Sequence, residues 1–159
     1  MLRLAGAVSI LVCLVLAFAG GWIVAMSSIG QAVDPESLTD RERKFSERMQ
    51  GVTLIGSFTI EGREAAQRHP ERYEIASVTK VGDDMWRFDA RIVYGRTDVT
   101  LPVTLPIVWA GDTPVISITD FAIPTLGTFT VRLLFYDDRY AGSWQHDDVG
   151  GLMFGTIER

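Results

Sequence analysis

Three pairs of adjacent carboxylates, Asp83-Asp84, Asp137-Asp138 and Asp147-Asp148, are the first candidates for chemistry in this chain of 159 residues. Two carboxyls can share general acid and base work, but only when they face one another across a substrate. Aspartates side by side near glycine favour turns instead, because each side chain bonds its own backbone, and all three pairs are read as turns. Ser143, His146 and Asp147 supply the residue types of a hydrolytic triad. Ser143 and His146 are three apart, however, hence on opposite faces of a strand, and no Gly-x-Ser-x-Gly elbow surrounds the serine. His146, Asp147, Asp148 and His69 have the chemistry to ligate a divalent ion. Two histidines in all, and no EF-hand spacing at 146–151, leave the metal assignment at none. Gly150-Gly151 opens a strand, whereas a phosphate-binding glycine loop opens a helix. The expectation is a protein that is not an enzyme, with no catalytic residue and no cofactor.

Aromatic residues remain. Tyr94, Trp109, Tyr140 and Trp144 fall near the ends of expected strands, where they would rim a mouth, and they are the candidate ligand-binding residues. Tyr136 has a similar place. The elements that must position them have a period of two. Val52, Leu54, Gly56, Phe58 and Ile60 share one face. Gly62 to Arg72 reads as a polar loop and Tyr73 to Val81 as a weaker second strand, ended by the turn Gly82-Asp83-Asp84. Trp86, Phe88, Ala90, Ile92 and Tyr94 point one way while Arg87, Asp89 and Arg91 point the other. After Gly95-Arg96, Val99, Leu101, Val103, Leu105 and Ile107 alternate with Thr100, Pro102, Thr104 and Pro106. A fifth strand, 115–123, has mixed patterning, and Phe129, Val131, Leu133 and Phe135 mark a sixth. Strands at 140–146 and 151–158 bring the total to about eight.

Short connections throughout predict an all-β domain, an antiparallel up-and-down barrel over residues 51–159 whose first and last strands meet. Pro102 and Pro106 have the same parity, so both remove donors from one side of the ladder. The seam or a gap is expected on that side. Eight strands close around side chains or around one small ligand, and the many inward aromatics point to a filled interior.

Residues 4–26 carry no charge and are long enough to cross a bilayer as a helix. Residues 1–33 are therefore a signal anchor plus tether, or a signal peptide cut after Ala17-Phe18-Ala19. The length of the run favours the anchor, and Cys13 serves within it as one more apolar residue. A three-residue tail inside and the domain outside is the favoured orientation, giving a single-pass membrane protein with an extracytoplasmic domain. Cleavage would instead make it secreted or periplasmic. Residues 34–50 predict one amphipathic helix, about 35–49, from the cap Asp34-Pro35-Glu36, with Thr39-x-x-Glu42 as a second capping box and Gly51 as its end. Its stripe of Leu38, Phe45 and Met49 is expected to pack against the outside or the mouth of the barrel.

The formal net charge of −5 and the scattered basic residues exclude a nucleic-acid partner. Much of the mean hydropathy of +0.17 comes from the leader. The partners expected are the membrane, through residues 4–26, and either a small apolar ligand or another envelope protein.

Gly56-Ser57-Phe58 and Gly142-Ser143-Trp144 resemble the Gly-x-Trp element at the start of the first strand in lipocalins and related calycins, which implies a barrel whose floor is closed by an aromatic ring. More of the chain, including VTLPVTLPIVWAGDTPVI and YAGSWQHDDVGG, resembles a family of small exported bacterial proteins. That second resemblance implies a domain and no activity. The reading is thus a lipocalin-like, membrane-anchored binding module, or alternatively an envelope assembly protein with a filled barrel; a hydrolase comes third.

Overall fold

The alternation of apolar and polar residues is realised as eight antiparallel strands: β1 (Val52–Phe58), β2 (His69–Lys80), β3 (Met85–Tyr94), β4 (Thr97–Ala110), β5 (Thr113–Ile123), β6 (Gly127–Tyr136), β7 (Arg139–His146) and β8 (Val149–Glu158). The structure is a computed structural model and describes residues 31–159 apart from 65–66 and 124–125. Each strand pairs with the next, and β1 closes on β8 from Thr53↔Glu158 to Phe58↔Met153. The result is the expected closed up-and-down barrel. Closure leaves no free edge at the ends of the meander, and alternation sends one side chain in two to the interior. Leu54, Ile75, Trp86, Phe88, Ile107, Leu133, Phe135 and Met153 form the buried core.

The loop expected over 62–72 is shorter than the sequence suggested. β2 begins at His69, because Ser57↔Pro70 and Phe58↔His69 carry the pairing with β1 to the end of that strand. Pairing partners override the polar composition here: Arg72 is on the outer face, and Glu71 is turned inward.

The mixed pattern of the fifth strand has a backbone cause. The register of β5 with β6 jumps between Ile118 and Phe121, and Asp120 takes a left-handed φ of 48°. This bulge switches the inward parity from Ile116 and Ile118 to Phe121, which packs against the core, and Ile123. Arg132 clamps it, donating to the Ile118 carbonyl and to Thr119 Oγ1.

The prolines also mark what they were expected to mark. β4 pairs with the whole length of β3 through Thr97 to Pro106, but among the described residues its register with β5 runs only from Ile107↔Ile116 to Ala110↔Thr113. The Ile107 amide donates to Asp84 at the β3 side. Residues of even number, Pro102 and Pro106 among them, therefore aim their backbone at β5, where the ladder stops.

The single helix expected over 35–49 is divided. Asp34 Oδ1 accepts from the Glu36 amide and caps a 3-10 turn, Pro35–Ser37; Leu38 is extended; and α1 (Asp40–Arg48) follows. The second capping box decides the break. The Thr39 amide donates to Glu42 Oε2 at 2.9 Å, which starts a fresh helix there. Gly51, at φ 63°, ends the helical segment. Helix α1 closes one end of the barrel. Phe45 meets Trp86, Phe88 and Trp109 edge-on at 5.4 to 6.4 Å, Met49 is buried beneath, and Ser46 Oγ donates to the Val78 carbonyl. Glu42, buried itself, pairs with Lys80 at 2.6 Å across this junction.

The expected span at residues 4–26 lies outside the described residues. No helix among those described is long and apolar enough to cross a membrane.

Candidate functional site

The barrel is not filled. A cavity of about 210 Å³ runs above Met49, between Leu54, Phe88, Ile116, Leu133 and Met153, towards Phe58, Tyr94, Trp144 and His146 at the end opposite α1. Counting inward aromatics overstated the filling for a spatial reason. Phe45, Trp86, Trp109 and Phe135 crowd together at the α1 end. Higher up, alternation turns Ala90, Gly56, Gly142, Gly151 and Gly155 inward, and these positions contribute almost no volume.

One carboxyl lines this apolar space. Glu71 is 4% exposed. Its Oε2 accepts from the Tyr73 hydroxyl at 2.9 Å and its Oε1 from the Tyr140 hydroxyl at 2.8 Å. Burial pushes the Glu71 carboxyl above its usual range, against the opposing effect of the two hydroxyls. Burial together with the neighbouring carboxylate raises both tyrosines in turn.

The sequence makes room for this contact across four strands. Tyr140 on β7 pairs with Gly155 on β8, Gly155 with Gly56 on β1, and Gly56 with Glu71 on β2. A Cβ at Gly56 would collide with the Tyr140 hydroxyl, and one at Gly155 would press its ring. Two glycines paired across β8 and β1 thus let the tyrosine lie across the sheet to reach the carboxyl.

Of the four residues expected to rim a mouth, the structure brings Tyr94 and Trp144 together at the end of the cavity away from α1, each edge-on to Phe58. Trp109 lies at the other end, against Phe45 and beneath the Arg41 guanidinium. Tyr140 is buried in the wall and enters through its bond to Glu71 rather than as a rim residue. Tyr136 is exposed on the outer surface. Phe58 and Trp144, the aromatic members of the two Gly-Ser-aromatic elements, meet at 5.4 Å at the end opposite the helix.

The three aspartate pairs do occupy turns, with Asp137 and Asp147 at φ 45° and 52°. Ser143 is exposed while His146 faces the cavity, its ring stacked on Phe129 at 4.4 Å. Among the described residues no three histidine, cysteine, aspartate or glutamate side chains converge as a metal site would require.

No family model, curated protein or solved structure matches this chain.

Glu71 and Tyr73 were the functional candidates that sequence reasoning passed over. The signal was present: Glu71, Tyr73 and Ile75 share one parity, so extending the alternation of the second strand back by two residues turns the glutamate inward. Two indole nitrogens and one imidazole nitrogen, Trp86 Nε1, Trp144 Nε1 and His69 Nε2, are buried without a hydrogen-bond partner among the described residues. Only Trp144 of these three lines the cavity.

Proposed function

We propose that the domain is a non-catalytic binding module that holds a small, mainly apolar ligand inside the barrel. The observation that carries this reading is the apolar cavity itself. A well-packed core leaves few voids larger than a water molecule. At about 210 Å³ this space exceeds the roughly 150 Å³ that suffices for benzene and stays below the roughly 300 Å³ of drug-sized pockets, so it suits a single ring or a short chain. Tethering through residues 4–26, with the domain on the extracytoplasmic side, completes the proposal and would put the site where a ligand arrives from outside the cell. Native mass spectrometry of the full chain, recovered from membranes in mild detergent, tests it. An additional small mass that disappears on denaturation is the expected result. A bare chain that also fails to take up small apolar compounds added in excess would refute it.

A second reading has its own support. The outward row Val108, Val115, Leu134, Ala141 and Phe154 runs across β4 to β8, and Val108 and Leu134 are exposed, as are nearby Tyr136 and Leu152. Exposed apolar surface of this kind suits an envelope protein partner. Crosslinking in membranes through a photoreactive residue at position 134 would capture that partner, and an uncrosslinked chain would discount it.

A further inference from the structure

Glu71 sets a problem that the folded chain does not solve on its own. An ionised carboxylate can accept about four hydrogen bonds, and two are filled here, one on each oxygen. None of the ion pairs among the described residues includes Glu71. Buried carboxylates ordinarily have a cation beside them. The cavity that Glu71 lines is otherwise walled by aliphatic and aromatic side chains, with polar atoms confined to Tyr73, Tyr94, Trp144 and His146. A carboxyl placed only to fill space would be an unfavourable choice, since an apolar side chain of similar volume would cost less. Yet Gly56 and Gly155 are both without a side chain along the path by which Tyr140 reaches and orients it.

We propose that Glu71 is the head-group anchor of the cavity and that its ligand is a small apolar amine, its hydrocarbon body between β3 and β8 and its protonated nitrogen on the carboxylate. This inference rests on the reading of the barrel as a ligand-binding module. Tyr73 and Tyr140 hold the carboxyl by one oxygen each and leave its remaining lone pairs for the ammonium. The ligand supplies the cation that no ion pair among the described residues gives Glu71. An anionic head group would meet Glu71 as a like charge with no guanidinium or ammonium among the described lining residues to offset it, so the same site rejects carboxylic acids of equal size.

The test is isothermal titration calorimetry of the full chain in detergent at ~pH 8, below the range of a primary amine. The probes are 2-phenylethylamine, ethylbenzene and phenylacetate, which share one ring and differ in the head. The amine is expected to bind at least about tenfold more tightly than ethylbenzene, the gain of one hydrogen bond to a charged group, and phenylacetate more weakly than ethylbenzene. In Glu71→Gln the advantage of the amine is expected to vanish while ethylbenzene stays within about twofold, which also certifies that the variant is folded. Ethylbenzene binding as tightly as the amine, or an amine preference that survives in Glu71→Gln, would overturn the anchor and leave the ligand-binding barrel standing. Failure of all three probes would overturn both.

Discussion

Replacing Glu71 by Gln should make the protein more stable at neutral pH, which is unusual for a buried residue with two good hydrogen bonds. Burial raises the carboxyl above its ordinary value of 4.5, so as pH rises the unfolded chain loses this proton before the folded chain does. The stabilisation from the protonated group is complete below that ordinary value and is lost as pH rises through the folded one. Over that window the wild type loses up to about 1.4 kcal/mol per pH unit relative to a variant with no proton to lose. Glutamine keeps the geometry. Its carbonyl oxygen accepts from one tyrosine, and its amide donates to the hydroxyl oxygen of the other, now at 2.8 and 2.9 Å from the carboxyl. Urea unfolding followed by tryptophan fluorescence, on wild type and Glu71→Gln from about pH 4 to pH 8, measures the difference. The curves should nearly coincide at the acid end, and the variant should draw progressively ahead as pH rises towards 8. A variant destabilised by the same amount at every pH would refute the claim that this carboxyl is held in a costly environment.

The helix cap yields a sharper loss. Phe45→Ala removes a ring that is 5% exposed and touches Trp86, Trp109 and Phe135, and it should cost about 3–5 kcal/mol; denaturant unfolding showing less than about 1 kcal/mol would mean that α1 is only loosely seated. Glu42→Gln has the opposite pH signature to Glu71→Gln. Burial raises this carboxyl, but the bonds from Lys80 and Thr39 outweigh it and hold it below its usual range, so the pair stabilises above about pH 4.5 and fades as pH falls. A cost of about 2 kcal/mol at neutral pH, shrinking in acid, is expected from equilibrium unfolding. Along β4, hydrogen exchange should be fast at the Thr100 and Thr104 amides, which face the unpaired side, and slow at Leu101, Val103 and Leu105, which face β3. Uniform protection would show that β4 and β5 are paired throughout.

The fold was legible because a barrel of short hairpins writes its inner face in alternate residues. Trp86 to Tyr94 and Phe129 to Phe135 each needed only that alternation, and Pro102 with Pro106 pointed to the side of β4 where pairing stops. The bulge at Thr119 and Asp120 was visible only as confused patterning, since a residue inserted in one strand shifts parity without a composition of its own. The division of the stalk at Leu38 was signalled by the Thr39 capping box, which competes with the cap at Asp34 for the same helix. The site was less legible. Tyr94 and Trp144 are near the cavity mouth because strand ends on one side of a meander converge. Strand ends alternate between the two sides, and Trp109 and Tyr140 belong to the other. Glu71 was hidden by its neighbours: with arginine at 68 and 72 and proline at 70, the segment has the composition of a loop. Its pairing with β1 turns it inward, and its hydrogen-bond partner there is a tyrosine sixty-nine positions later, admitted by two glycines on intervening strands.

The most direct test of the hollow barrel is a methyl-detected NMR titration of the full chain with ethylbenzene. The account predicts saturable shifts at Leu54, Val103, Ile118, Val131 and Met153, which line the cavity, with Val108 and Leu134 on the outer face unmoved. Shifts confined to the outer methyls, or none at any concentration the compound reaches in water, would contradict it.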